Sequence, residues 1–285
     1  MIPTVFLPRS KIFQTDKLNP VPLKKERADN VLLSRHYADT RQKAQALVMA
    51  GLVFSGGHRI EKPGQMISVE EEISVRTEIP FVSRGGLKLK EGLEAFSIDV
   101  RGGVAADLGS STGGFVDCLL QRGARLVYAV DVSVSQLDWR LRNDPRVIPV
   151  EKNARYLKSE DFAEKPDVVT LDLSFISVLK VLPAIREFLG GGILLSLLKP
   201  QFEVRKGLVG KKGIVRDPDQ HEAVLGQVLE EARRLGFGVR GLIKCSVRGQ
   251  RGNREFFAYL TLAEDHWPQE RVWEAIKEVV HDSKH

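Results

Sequence analysis

The sequence predicts an α/β protein with a doubly wound, mostly parallel seven-stranded sheet, preceded by a small α+β unit. Three observations carry this expectation. Short apolar runs alternate with helical stretches from residue 104 onward, the pattern of strands buried on both faces by crossover helices. The first of these runs ends in the glycine-rich segment DLGSSTGGF, Asp107 to Phe115, where open α/β sheets bind ligands. Ahead of them, up to about residue 76, two short helical patterns are followed by glycine-rich turns and carry an excess of lysine and arginine.

Composition sets the outer limits. The chain has 285 residues, 42% hydrophobic and 28% charged, values of an ordinary folded protein and enough for one large unit and one small one. The expected division is a mobile leader at 1–24, a small unit at 25–76, a linker at 77–82, the large unit at 83–264 and a C-terminal helix or tail at 265–285. A net charge of +6 and a pI near 9.3 favour polyanionic partners. Cys118 and Cys245 are far apart and show no ligand or disulfide spacing, which points to a reducing, cytoplasmic compartment. The six histidines have no metal-ligand spacing either, so no metal is expected. The best apolar run, Ile193 to Leu198, is too short to span a bilayer and is followed by Lys199 and Pro200.

In the small unit, Val31 and Leu32 and then Ala44, Leu47 and Val48 fall at helical spacing. Thr40 is placed to cap the second helix and Gly51 to end it. Residues 52–54 and 58–60 flank Ser55-Gly56-Gly57 as a hairpin, Lys62-Pro63-Gly64 makes another turn, and Ile73 to Val75 form a further strand. From Lys24 to Lys62 eight lysines and arginines stand against four acids. Arg41 and Lys43 sit at the start of a helix, opposed to its dipole, so a nucleic-acid phosphate suits them better than helix stability does. A solvated helix face is the alternative. The whole pattern, Asp29-x-x-Leu32, Thr40-Arg41-x-x-Ala44, Val48, Gly51 and Val53, resembles the alpha-L RNA-binding domain of a small-subunit ribosomal protein. Gly56-Gly57 replaces the usual Asn-Gly turn. The resemblance implies RNA contacts from Lys24, Arg27, Arg41, Lys43 and Arg59.

In the large unit the predicted strands are 104–108, 126–131, 147–150, 168–173 and 193–198, with two later runs, 239–245 and 256–262, completing the sheet. Gly109, Gly113 and Gly114 allow close backbone approach of a ligand. Asp131 closes the second strand, where a carboxylate accepts ribose hydroxyls. A dinucleotide enzyme normally shows G-x-G-x-x-G. Here Asp107 precedes the first glycine, which suits a methionine ammonium better than a pyrophosphate, and S-adenosyl-L-methionine is the expected cofactor.

The reacting groups are sought at neighbouring strand ends. Asp172 and Lys199 end the fourth and fifth strands, Lys88 begins a helix beside the first, and Glu255 opens the last. Taken singly, each reads more readily as an ordinary surface salt-bridge partner. Together they resemble the Lys-Asp-Lys-Glu tetrad of FtsJ-type ribose methyltransferases, and the flanking text resembles the TlyA family: SRGGLKL, DLGSSTGGFVDCLLQRGA, YAVDV, DLSFIS, LLKPQFE, KGIVRD and GNREF occur in family order. This resemblance covers Arg27 to Leu262. It implies a Rossmann-like S-adenosylmethionine-dependent methyltransferase that modifies the ribose 2′-hydroxyl of cytidine in ribosomal RNA. It also implies cofactor contacts from Asp107, Gly109, Ser110, Thr112, Gly113, Gly114, Phe115, Asp131, Val132, Asn153 and Asp172. Glu151-Lys152-Asn153 is shorter than the family's Glu-Arg-Thr-Asn at the adenine contact.

A carboxylate beside a lysine favours the ammonium form, so Lys199 is expected to orient and polarise the ribose hydroxyl, with general-base action as the alternative. Asp172 and Glu255 would hold the two lysines, and Lys88 would steer the ribose or its phosphate. Residues 201–217 carry Arg205, Lys206, Lys211 and Lys212 among glycines and read as a lid over RNA and cofactor. With Arg84 they complete the expected RNA contacts, and ribosomal RNA or ribosomal subunits are the expected partners. Three rivals stand at this stage: an RNA-binding or assembly protein with a decayed methyltransferase fold, a pore-forming hemolysin, and a dinucleotide oxidoreductase.

Overall fold

The computed structural model describes residues 24–75, 80–204, 213–249 and 252–281. The expected leader up to residue 23, residues 77–79 of the linker, and Arg205, Lys206, Lys211 and Lys212 lie outside the described residues. The chain divides into two compact units, the first holding residues 24–49 and 53–75 and the second residues 50–52 and everything described from residue 80 onward.

In the first unit β1 (Lys25–Arg27) runs directly into α1 (Ala28–Ser34), and α2 (Arg41–Met49) follows. Then come β2 (Val53–Ser55), β3 (His58–Arg59), β4 (Met66–Ser68) and β5 (Ile73–Val75). The Thr40 hydroxyl caps α2 by accepting from the Lys43 N–H at 3.2 Å. β2 pairs with β3 across the glycine turn and with β5 on its other side. Gly56 and Gly57 both take positive φ, 55° and 80°, as a two-residue hairpin turn of this hand requires. The β1–β4 pairing has no counterpart in the sequence reading, because three residues on each side are too few to show an alternation. The unit closes over Ala28, Val31, Leu32, Ala44, Val48, Val53 and Ile60, all buried.

The second unit begins with α3 (Gly85–Ala95), β6 (Val104–Leu108), α4 (Gly114–Gln121) and β7 (Leu126–Asp131). It continues through α5 (Trp139–Arg142), β8 (Val147–Glu151), β9 (Val168–Leu171), α6 (Leu182–Leu189), β10 (Ile193–Leu198) and the single turn α7 (Pro200–Glu203). α8 (Pro218–Arg234), β11 (Gly238–Lys244), β12 (Phe256–Thr261) and α9 (Gln269–His281) complete it. The seven strands lie in the order β11-β12-β10-β9-β6-β7-β8. Six run in the same direction, and β12 alone of the seven runs antiparallel, to both β10 and β11. Alternate residues of the central strands feed two cores: Val104, Ala106 and Leu108 pack with Tyr128 on one face, Ala105 with Val127 and Ala129 on the other. Period-two burial into two apolar layers explains why these strands read as continuous apolar runs.

Strand order reverses between β6 and β9, which lie side by side with Leu108 opposite Leu171. The chain leaves β6 toward β7 and β8 but later leaves β9 toward β10, so the two connections diverge. They open a crevice at the strands' carboxyl ends, the place where such sheets bind ligands.

Candidate active site

Asp107 is the last but one residue of β6, with Thr170 opposite it on β9. The Thr170 hydroxyl donates to Asp107 Oδ1 at 2.7 Å, while Oδ2 is buried without a hydrogen-bond partner. Burial pushes the Asp107 carboxyl up to about 8; the Thr170 hydrogen bond opposes this, and the charges of Asp172 and Asp131 add to it. Ser110 Oγ is a second buried orphan in the same turn. Two buried polar atoms without protein partners at one strand end call for a polar ligand.

The turn that follows brings the backbone close. Gly109 has φ 93°, and a Cβ there would stand 2.8 Å from the carbonyl oxygen of Asp172. Gly113 (φ 96°) opens α4, and its Cβ would fall 2.2 Å from Leu141 Cδ1. No side chain fits either position, so the loop lies flat against β9 on one side and α5 on the other.

The four tetrad residues meet in this crevice. Lys88, on the first turn of α3, donates to Glu255 Oε2 at 2.6 Å just before β12 begins. Both side chains are largely buried, 11% and 2% exposed. Burial works against the Lys88 ammonium, but the charges of Glu255 and Asp172 and the hydrogen bond to Glu255 outweigh it, and its pKa lies above the usual lysine value. Lys199 follows β10 and Asp172 follows β9, adjacent parallel strands, and Lys199 Nζ is 2.5 Å from Asp172 Oδ1. By distance this is an ion pair, yet Asp172 Oδ1 accepts no aligned hydrogen bond. We read it as ionic, since charge attraction does not need a linear N–H···O. The aligned bond from Lys199 goes to Ser174 Oγ at 3.1 Å.

A cavity of about 280 Å³ is lined by Lys88, Asp172, Lys199 and Glu255 together with Asp107, Gly109, Ser110, Thr112, Gly114, Phe115 and Arg84. It does not reach Gly113, Asp131, Val132 or Asn153. Asp131 instead accepts from the N–H of Ser111 at 2.9 Å and of Ser133 at 3.3 Å, tying the end of β7 to the glycine turn. Val132 is 66% exposed beside it. Asn153 uses its side chain to cap the following turn, accepting from the Arg155 N–H at 3.1 Å.

Six lining residues were not singled out as site residues from the sequence: Ser83, Gly85, Ser111, Ser174, Gln201 and Phe202. Ser174 and Phe202 belong to DLSFIS and KPQFE, where they follow Asp172 and Lys199 closely, and that proximity was the available signal. Phe175, next to Ser174, is 89% exposed, takes φ 66° and packs its ring 5.1 Å from that of Phe202.

Of the expected RNA contacts in the first unit, Lys24 is exposed, Lys43 pairs with Asp39 at 2.9 Å and Arg59 with Glu61 at 3.1 Å. Arg27 and Arg41 both reach Asp29. Among the described residues there is no cluster of three or more His, Cys, Asp or Glu that could hold a metal ion, and no helix long and apolar enough to cross a membrane.

Comparison with known proteins covers both units. The family model of FtsJ-like methyltransferases matches residues 81–262, and that of the S4 domain matches residues 26–73. YqxC of Bacillus subtilis is 44% identical over 251 residues, 87% of this chain and 88% of that one. The 16S/23S rRNA (cytidine-2′-O)-methyltransferase TlyA of Mycobacterium tuberculosis is 42% identical over 85% of this chain and 92% of its own. Hemolysin A of Brachyspira hyodysenteriae is 38% identical over 83% of this chain and all of its own. A solved Streptococcus thermophilus structure, named as a hemolysin, superposes with a TM-score of 0.69 at 40% identity and covers 90% of this chain and 96% of that one. Because these similarities run through the S4 and methyltransferase parts together rather than through either alone, the chain belongs to the TlyA family.

Proposed function

We propose that this protein transfers a methyl group from S-adenosylmethionine to the ribose 2′-hydroxyl of cytidine in ribosomal RNA, with Lys88, Asp172, Lys199 and Glu255 as the reacting set. One observation carries the reading. Two lysines, each paired with its own carboxylate, line the same cavity as the orphaned carboxylate oxygen of Asp107. The Mycobacterium tuberculosis and Campylobacter jejuni relatives are named as rRNA (cytidine-2′-O)-methyltransferases, which supports the acceptor.

Asp107, Gly109, Ser110 and Gly114 would hold the methionine end of the cofactor, and Asp131 its ribose. When bound, S-adenosylmethionine supplies a methyl group activated on a sulfonium. The protein's own task is to place a weak nucleophile in line with that methyl. Lys199, engaged by Asp172 and Ser174, directs its remaining donor into the cavity and orients the hydroxyl. Lys88, held by Glu255, steers the ribose or its phosphate, and Arg84 adds positive charge at the cavity wall. The S4 unit supplies affinity for RNA through phosphate neutralisation. The setting is the cytoplasm, where ribosomal subunits are the substrate source.

The test is a map of ribose methylation in ribosomal RNA from cells with and without the gene, paired with methyl transfer by the purified protein. A cytidine methylated only when the gene is present is the expected result. An unchanged map together with no transfer in vitro would sink the reading.

A further inference from the structure

The basic face of the first unit is organised around an acid. Asp29, in the first turn of α1, is 0% exposed, although a lone buried carboxylate is costly. Four donors meet it: Arg27 Nε at 2.9 Å, Arg27 Nη2 at 2.8 Å, Arg41 Nε at 3.2 Å and Gln45 Nε2 at 3.0 Å. Arg27 comes from β1, and Arg41 and Gln45 lie one turn apart on α2, so one carboxylate ties two elements together. The Arg27 hydrogen bond is the main reason the Asp29 carboxyl lies far below the usual carboxylate range; burial opposes it, and Gln45 and Arg41 add to it. The backbone fixes the acid from the other side, with Asp29 N–H donating to Pro63 O at 2.9 Å and Ala28 N–H to Gln65 O at 2.8 Å.

The guanidinium groups themselves stay open. Their side chains are 43% and 54% exposed, and Arg27 Nη1 and both terminal nitrogens of Arg41 have no protein partner among the described residues. One negative charge faces two positive ones, so the cluster keeps a net positive charge, with spare donors on two part-exposed side chains. Gly64 makes the room: a Cβ there would stand 2.8 Å from Arg27 Nη1. A planar guanidinium clamped along one edge loses little further freedom when its other edge meets a phosphate oxygen.

We propose that Asp29 is the positioning residue of the RNA-binding face, setting the Arg27 and Arg41 guanidiniums for RNA phosphates without touching RNA itself. This rests on the reading of Arg27 and Arg41 as RNA contacts. Charge and positioning make opposite forecasts. Asp29→Asn keeps the shape and removes a negative charge, so a face that worked by charge alone would bind RNA more tightly. A face that works by alignment binds more weakly in spite of its extra positive charge. Gly64→Ala moves the Arg27 guanidinium while leaving Asp29 in place, and the atom it meets is the end of a flexible side chain, so the fold survives.

The experiment measures binding of the full-length protein to deproteinised ribosomal RNA across a salt series, with methyl-transfer kinetics and melting curves alongside. Expected are about tenfold weaker binding for Asp29→Asn and a few-fold for Gly64→Ala. In both, KM for RNA rises and kcat at saturating RNA is unchanged. In an Arg27→Ala/Arg41→Ala background Asp29→Asn has no further effect, which a general structural role would not produce. If Asp29→Asn fails to fold, Gly64→Ala and its KM decide alone. Weaker binding in the arginine double variant, with affinity kept or raised in the folded Asp29 and Gly64 variants, overturns the positioning role. Unchanged affinity in the arginine double variant instead removes the reading on which the proposal stands.

Discussion

Lys88 Nζ and Glu255 Oε2 lie 2.6 Å apart although 167 residues separate them in the chain. The bond ties the start of α3 to the start of β12 and closes one wall of the cavity. Removing the acid leaves the Lys88 ammonium, only 11% exposed, without its hydrogen-bond partner. Glu255→Ala is expected to lower stability by about 3 to 5 kcal/mol in urea titrations, because an unpaired buried charge remains. Lys88→Met/Glu255→Leu should recover most of that stability and none of the methyl transfer. A double variant that regained activity would remove this pair from the reaction.

Lys199 is the most exposed assignment. Lys199→Ala should reduce methyl transfer by at least about a hundredfold while leaving the affinity for S-adenosylhomocysteine nearly unchanged. Lys199→Arg should also fail, since a planar fork cannot place one donor where the ammonium meets Asp172 and Ser174. Single-turnover rates with calorimetry of cofactor binding check both halves. Full activity in Lys199→Ala contradicts the tetrad.

Asp107 makes the free protein sensitive to pH. Its carboxyl titrates near 8 when folded, against about 3.9 in an unfolded chain, so the folded state holds the proton more tightly. The Asp107 contribution to stability is fully present below about pH 4 and is lost as pH rises through about 8. Relative to wild type, Asp107→Asn should flatten the fall in melting temperature between pH 5 and 8. A cofactor ammonium pairs with the ionised form, so binding should tighten as pH rises toward 8, by up to about tenfold per unit. Identical pH profiles for wild type and Asp107→Asn would refute the assignment.

Gly109 tests the close approach of the glycine turn to β9. Gly109→Ala combines a positive φ with a Cβ 2.8 Å from the Asp172 carbonyl oxygen. The strain should cost about 1 to 3 kcal/mol and displace Asp172, weakening both cofactor binding and turnover. Melting temperature and calorimetry read the two effects, and wild-type values in both would mean the loop is free to move away.

Much of this protein was legible in its sequence because buried parallel strands, glycine turns and helix caps are local signals. The seven strands appear within a residue or two of where the apolar runs place them, and Thr40, Gly56 and Gly57 take the conformations their chemistry implies. The tetrad residues could be listed as well, since each adjoins a recognisable strand or helix start. What no local pattern contains is how chain-distant groups pair once the sheet is assembled. Neighbouring strand ends already placed Asp172 beside Lys199, but that Lys88 takes Glu255, that Ser174 receives the Lys199 hydrogen bond, and that Asp131 turns its carboxylate to the backbone of Ser111 follow from strand order and register. Burial of Asp29 beneath Arg27 and Arg41 is of the same kind. The physical reason is that charge pairing depends on distance and desolvation, which only the packed tertiary structure sets, whereas strand, helix and turn follow from the near neighbours along the chain.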